Sequence, residues 1–378
     1  MRTRGGGLLF VGGAFAALAG VVAVASAASL SGCDELRVAD TRDGSGNPGD
    51  DGGVDEGGDP GDPDARTPSI FTVVKQEPDG GSLSSVFGFA PNDIHAVGEN
   101  GTMLHYDGTS WTKAGTTTGA LLAKVWGRAP NDVYAVGVLA EGARGILMHY
   151  DGNGWIEERE FDDGLSALWG TKDFVLVAGL NGKVYKKTAT KDWYLLVTLE
   201  KNPDAPYEPN VHPDDNFAPV VDALWGNDGM HFAAACDLDT TVFYRDPSMW
   251  VPEYDPVNRK RRFRSVWGPP GANYNLLFGA NYNGVWQVQN DITVSLSIHE
   301  ERDTPDRVNQ AIWGIWGTAA DNVLFVGDRG RIMSWHGMGD VSIVPSPTTA
   351  GLSAVWGSSA NDVWIVGDDM TILHGSIP

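Results

Sequence analysis

One short basic run stands out in an acidic chain. The 378 residues carry 27 lysine and arginine against 49 aspartate and glutamate side chains, a formal net charge of −22. Five basic residues nevertheless lie close together: Arg259, Lys260, Arg261, Arg262 and Arg264. Such groups can bind an anionic glycan, a phosphate or an acidic partner. The alternative is internal pairing with the acidic segments 204–215 and 300–306.

Three histidines at equivalent repeat positions suggest a metal site. They are His105, His149 and His374. Imidazole nitrogens bind zinc at about 2.0 Å. Equivalent side chains on neighbouring repeats are expected to be too far apart to share one ion at that distance. We therefore expect structural histidines, and the sequence predicts neither a metal nor another cofactor. The Asn-Asp pairs at 92–93, 131–132 and 361–362 also recur, so we expect turns with side-chain-to-backbone hydrogen bonds.

The two cysteines have different sequence contexts. Cys236 lies in an apolar run and is predicted to be a buried, inert thiol. Cys33 ends a segment in which Arg2 and Arg4 precede an uncharged apolar stretch, residues 5–32. A basic start, an apolar middle and small residues at the end are typical of a secretory signal.

The last four residues of this segment, Leu30-Ser31-Gly32-Cys33, resemble the lipobox of bacterial lipoproteins. The resemblance implies that residues 1–32 are a lipoprotein signal peptide and that Cys33 is lipidated after cleavage. The protein would then be anchored to the inner or outer membrane of a bacterial cell envelope, because each buried methylene contributes about 0.8 kcal/mol. The alternatives are cleavage after Ala27 and an uncleaved membrane helix.

Residues 33–68 are predicted to be a disordered, acidic tether. This segment is rich in aspartate, glycine and proline and contains almost no aliphatic or aromatic side chains. It cannot bury enough apolar surface to offset the entropy of ordering, and its like charges repel. Its mean reach as a flexible coil is roughly 30 to 35 Å. Its aspartates lack the spacing of a calcium-binding loop.

Residues 69–378 consist of repeats. Segment 125–137 reads VWGRAPNDVYAVG, and segments 86–98 and 355–367 match it closely. Weaker copies bring the number of repeats to seven. Each repeat has an aromatic residue, here called its anchor, that is followed by glycine. The anchors are Phe87, Trp126, Trp169, Trp225, Trp267, Trp316 and Trp356. Their spacing of about 40 to 56 residues is that of a four-stranded propeller blade.

Each full repeat contains four short apolar or alternating runs separated by turn residues, which is the pattern of β-strands. The last repeat lacks a fourth run, and residues 70–75 form an unassigned run before the first anchor. We therefore predict an all-β fold, a monomeric seven-bladed β-propeller with four-stranded blades. The N-terminal strand would complete the last blade as a velcro closure and remove an open sheet edge.

These Trp-Gly, Asn-Asp-Val and Val-Gly motifs resemble the repeats of secreted bacterial propellers of the photosystem II assembly-factor type. The resemblance covers about 310 residues and implies a fold rather than an activity; a kelch-like propeller is the alternative. Recurring tryptophans are expected to pack between blades. Those of the fourth strands are Trp111, Trp155, Trp193 and Trp250.

The predicted function is binding or scaffolding. Connections between the first and second strands of a blade are expected to be short. The long connections run from one blade to the next, at 201–220, 254–264 and 298–310, and should share one face of the ring. Loops can carry function, so this face is the candidate binding surface. The expected ligand is an envelope protein or polysaccharide. The acidic charge disfavours nucleic acid. No catalytic constellation is evident, but sites can assemble from distant blades, so the alternative is an enzyme such as a lyase, glycosidase or quinoprotein.

Overall fold

A computed structural model shows the fold of the repeat region. It describes residues 69–114, 119–140, 144–199, 220–226, 232–236, 241–246, 249–253, 263–269, 276–281, 284–289, 292–296 and 310–378. The predicted signal peptide and tether, with Cys33, lie outside the described residues. The compact unit runs from Ser69 to Pro378. Within the described residues, no helix has the length and apolar character needed to cross a bilayer.

The described residues form seven four-stranded antiparallel sheets, here called blades 1 to 7. The first strand of the chain, β1 (Thr72–Lys75), belongs to blade 7. Blade 1 contains β2 (Leu83–Ala90), β3 (Asp93–Gly98), β4 (Met103–Tyr106) and β5 (Trp111–Lys113). Blade 2 contains β6 (Leu121–Ala129), β7 (Asp132–Val138), β8 (Gly145–Tyr150) and β9 (Trp155–Phe161). Blade 3 contains β10 (Leu165–Thr171), β11 (Phe174–Gly179), β12 (Lys183–Thr188) and β13 (Lys191–Thr198).

The remaining blades repeat this order. Blade 4 contains β14 (Val221–Gly226), β15 (Phe232–Cys236), β16 (Thr241–Asp246) and β17 (Met249–Glu253). Blade 5 contains β18 (Ser265–Trp267), β19 (Leu276–Asn281), β20 (Gly284–Gln289) and β21 (Ile292–Leu296). Blade 6 contains β22 (Ile312–Ala319), β23 (Asn322–Gly327), β24 (Arg331–Trp335) and β25 (Ser342–Val344). Blade 7 adds β26 (Leu352–Ser359), β27 (Asp362–Gly367) and β28 (Ile372–Gly375) to β1.

The N-terminal strand completes the last blade, as predicted. Strand β1 pairs antiparallel with β28, and Thr72 lies opposite His374. The preceding residue, Phe71, is 1% exposed and packs in a core cluster with Leu373 and Ile377. The first and last strands of the chain are therefore held together by backbone hydrogen bonds and by a buried aromatic side chain.

The Trp-Gly motif is a contact between neighbouring blades. A Cβ atom at Gly88 would lie 2.7 Å from the ring of Trp356, and one at Gly357 would lie 2.6 Å from the ring of Trp316. Each ring comes from the preceding blade, so only glycine leaves room for it. The first strands of successive blades contact one another in order, and β26 contacts β2.

The fourth-strand tryptophans also pack between blades, as predicted. Trp111 of blade 1 lies 5.6 Å, centroid to centroid, from Trp364 of blade 7. Trp193 of blade 3 lies 6.4 Å from Tyr134 of blade 2. The side chains of Trp250 and Cys236 lie outside the described residues.

The short connections expected between first and second strands are present in blades 1, 2 and 7, where two residues separate these strands. In blades 4 and 5 the described strands are separated by residues 227–231 and 268–275, of which 227–231 and 270–275 lie outside the described residues.

Candidate functional site

Each of the three equivalent histidines binds an aspartate of its own blade. The distance between His Nε2 and Asp Oδ1 is 2.8 Å for His105 and Asp93, and 2.8 Å for His374 and Asp362. In blade 2 the corresponding distance to Asp132 is 2.9 Å. The aspartate begins the second strand and the histidine lies on the third. We call each such pair an Asp–His unit.

A third side chain, two residues after the aspartate, completes each unit. The histidine ring stacks on it with centroid distances of 4.5 Å for Tyr134 in blade 2 and 4.2 Å for Trp364 in blade 7. The three histidines thus serve three separate units. The aspartates of the Asn-Asp pairs hold these side chains in place, a role that the expected side-chain-to-backbone bonds do not describe.

Blade 2 surrounds its aspartate with hydrogen-bond donors. Burial alone would raise the pKa of Asp132, but hydrogen bonds from Arg128, Tyr134 and His149 lower it. Glu158 of the same blade accepts from Trp193 of blade 3 at 2.7 Å and pairs with Lys187. These ionisable groups therefore hold one another and the adjacent blade, which is a structural role.

In blade 1 the stacking residue is a histidine, which sequence reasoning missed. His95 stacks on His105 with a centroid distance of 4.6 Å and is 1% exposed. Among the described residues, neither of its ring nitrogens has a hydrogen-bond partner. Burial and the neighbouring His105 lower the pKa of His95 to about 4, although Asp93 opposes the decrease. The aligned repeats hold the signal, because His95 stands where they have Tyr134 and Trp364.

A second charged cluster involves blades 2, 4 and 5. Its residues lie on or beside the first strands of these blades, which we call the inner strands because the first strands contact one another from blade to blade. Arg264 Nη1 donates to Asp222 at 3.4 Å (Oδ1) and 3.3 Å (Oδ2), and their side chains are 13% and 7% exposed. Asp222 lies on β14, and Arg264 directly precedes β18. Burial lowers the pKa of Lys124 on β6, while the charge of Asp222 opposes the decrease. We call Lys124, Asp222 and Arg264 the inner-strand cluster.

Of the predicted basic run, Arg264 lies within the described residues, and Arg259, Lys260, Arg261 and Arg262 lie outside them. Arg264 is paired with Asp222, and the acidic segments 204–215 and 300–306 lie outside the described residues. The repeats contained the signal for this pair, because each residue stands three positions before the anchor tryptophan of its blade. Arg264 therefore belongs both to the inner-strand cluster and to the basic run.

No protein-family model matches the chain, and no curated protein matches it in sequence. Solved structures do match its fold. A structure of YCF48 bound to D1 peptide is 14% identical, with a TM-score of 0.60, and the match covers 83% of this chain and 99% of that one. YCF48 from Cyanidioschyzon merolae is 13% identical, with a TM-score of 0.60 and coverages of 81% and 98%. The WD40 propeller domain of Doa1 is 12% identical, with a TM-score of 0.59 and coverages of 81% and 97%.

The chain is therefore a β-propeller, as predicted, and it is similar in fold to propellers of the photosystem II assembly-factor type. Identities this low show the fold alone, and propeller folds serve many activities.

Proposed function

We propose that the chain is a lipid-anchored envelope protein whose propeller binds an acidic segment of a partner protein. The observation that carries the proposal is the position of Arg264. Asp222 holds this residue at the start of β18, on the inner strands of the propeller. The four other basic residues, 259–262, precede it in sequence and are separated from it by Phe263.

We infer from strand direction that this connection starts from the same face as the other long connections. Neighbouring strands in each blade are antiparallel, so every connection from a fourth strand to the next first strand begins and ends on the same face. The long connections of this class are 199–220, 254–264 and 297–311. A ligand that reached the basic run would meet variable segments of several blades, which is how scaffolds commonly build specificity.

Charge favours an acidic ligand. Most of the chain repels acidic partners because its net charge is −22, whereas residues 259–262 offer four adjacent cations. Arginine can bind a carboxylate with two parallel hydrogen bonds, which adds orientation to attraction. An acidic segment would therefore be directed to this face.

The comparisons favour a protein as the partner. YCF48, which shares this fold, has been solved with a bound peptide. A propeller of this type can thus hold a polypeptide segment, and we extend that behaviour to this chain. An anionic polysaccharide is the other ligand that the basic run could bind, and the experiment below separates the two.

The partner is tested by charge reversal in the full chain. We expect Arg261→Glu with Arg262→Glu to abolish capture of a protein from native envelope extract and retention of an acidic model peptide. The matched control is Lys172→Glu with Lys191→Glu. It changes the charge equally at the opposite face, where Lys172 lies between β10 and β11 and Lys191 begins β13. Equal losses in both variants would refute a specific site, and retention of anionic polysaccharide alone would refute the protein partner.

The lipid anchor is tested at Cys33. The lipobox resemblance predicts an acylated Cys33 as the first residue of the mature protein. We expect mass spectrometry of the N-terminal peptide to show the added acyl mass, and Cys33→Ser to leave the membrane fraction. An unmodified thiol at Cys33 in the membrane-bound protein would contradict the proposal.

One observation favours the alternative of an enzyme. The lowered pKa of Lys124 favours the neutral amine, and lysines with a lowered pKa can form Schiff bases. If the chain acts in this way, borohydride should trap a carbonyl compound on Lys124 in the wild type and not in Lys124→Arg. Equal labelling of both proteins would remove the support for this alternative.

A further inference from the structure

Blade 1 contains a set of ligand atoms that the other Asp–His units do not. Asp93 and His105 form the standard unit, and His95 adds a second imidazole where blades 2 and 7 have Tyr134 and Trp364. One oxygen or nitrogen from each of the three blade 1 side chains lies within 4.8 Å of the other two. The three equivalent histidines lie on different blades, so their pattern in the sequence does not predict this combination within a single blade.

The distances are close to those of a metal centre. The Nε2 atoms of His105 and His95 lie 2.8 Å and 3.6 Å from Oδ1 of Asp93. Ligand atoms of a tetrahedral zinc ion, bound at about 2.0 to 2.1 Å, are about 3.3 Å apart. The third distance, between one nitrogen of each imidazole, is at most 4.8 Å, so binding of an ion would draw these two nitrogens together.

We propose that Asp93, His95 and His105 bind a first-row divalent ion of the zinc class. Two neutral imidazoles and one carboxylate are a common set of zinc ligands, and such a set leaves a fourth position for water or for a partner's side chain. On binding, the proton on His105 Nε2 moves to Nδ1, so that Nε2 coordinates the ion while Asp93 exchanges its hydrogen bond for a metal bond.

The state of His95 supports this assignment. A buried imidazole without a hydrogen-bond partner is costly, and coordination to a metal would remove that cost. The rings of Tyr150 and Trp155, centred 5.5 Å and 6.0 Å away, enclose it on the side of blade 2.

The site is open on its other side. The side chains of Asp93 and His105 are 22% and 28% exposed, so an ion can enter from solvent. The units of blades 2 and 7 serve as internal controls, because each pairs one histidine with one aspartate and has an aromatic ring in place of His95.

The test is zinc titration of the full chain, purified in detergent without a histidine tag and freed of metal with a chelator. We expect calorimetry to show one zinc ion per chain, and zinc to raise the melting temperature because it binds the folded state. His95→Tyr, which restores the residue of blade 2, should weaken binding by at least the 10- to 100-fold that loss of a supporting group causes. Asp93→Asn should do the same.

The matched control is His149→Gln, which breaks the Asp–His unit of blade 2 and should bind zinc like the wild type. Cobalt should give the visible absorption of a tetrahedral site in the wild type and in this control alone. A wild type that binds no zinc would overturn the proposal. So would zinc affinity unchanged in His95→Tyr and Asp93→Asn, which would assign the ion to other groups such as the cysteine thiols.

Discussion

Blades 7, 1 and 2 differ from blades 4 and 5 in how closely they follow the repeat. The first group has the Asn-Asp pair, two-residue connections between first and second strands, and an Asp–His unit in every blade. Blades 4 and 5 have the longer connections 227–231 and 268–275. The described charge pair there, between Asp222 and Arg264, joins two blades rather than two strands of one blade.

The difference shows two ways to stabilise a blade. A regular blade fixes its own second and third strands with an aspartate, a histidine and a stacked ring. Blades 4 and 5 are linked through a partly buried ion pair between Asp222 on β14 and Arg264 beside β18. Blade 1 shows that even a regular unit can change its chemistry by one substitution, from an aromatic ring to His95.

Removal of the N-terminal strand should cause the largest loss of stability, because this strand completes blade 7, one of the three regular blades. Deletion of residues 69–78 would expose the edge of β28 and remove the buried ring of Phe71. We expect aggregation or a large fall in melting temperature. Phe71→Ala alone should cost about 3 to 5 kcal/mol of unfolding free energy, whereas Val74→Ala, at a 45% exposed position, should cost under about 1 kcal/mol. A truncated protein that stays monomeric with an unchanged melting temperature would contradict this role.

Sequence patterns predicted the regular group best. Equivalent residues such as Trp126 and Trp356 recur with their glycines, and alternation of apolar residues marks the strands around them. The pairing of β1 with blade 7 was predicted because the last repeat lacks a fourth strand and residues 70–75 form an unassigned one. Contacts between neighbouring repeats were harder: Asp222 and Arg264 stand at equivalent repeat positions, but their pairing becomes evident only when two blades are placed side by side. His95 was visible in the alignment of the repeats but looked like one more strand residue.

The ion pair between blades 4 and 5 is the next test of the comparison. Asp222→Ala would remove the carboxylate that pairs with the largely buried guanidinium of Arg264, and breaking a buried ion pair costs up to about 3 to 5 kcal/mol. Urea unfolding should show this loss. The control is Asp173→Ala, whose carboxylate is 71% exposed and paired with Lys172 at the surface. If both variants unfold alike, the inner-strand pair does not link these blades.

The Trp-Gly contact can be weakened by a single methyl group. A Cβ atom at Gly88 would lie 2.7 Å from the Trp356 ring between blades 7 and 1, so Gly88→Ala should cost about 1 to 3 kcal/mol. Gly154→Ala is a matched control in the blade 2 hairpin, because nothing lies within 4 Å of its new Cβ atom. An equal effect of both substitutions on the urea midpoint would show that inter-blade packing tolerates the extra volume.

The smallest effect should come from one Asp–His unit, and it should depend on pH. Hydrogen bonds from Arg128, Tyr134 and His149 hold the folded-state pKa of Asp132 below its ordinary value, despite burial. Its contribution to stability is therefore present above the ordinary aspartate range and is lost as the pH falls through the folded pKa. Asp132→Asn should cost about 1 kcal/mol at pH 7, and the difference from the wild type should shrink on acidification. Urea unfolding from pH 7 to pH 3 measures this; a constant difference would mean that the carboxylate charge does not stabilise the unit.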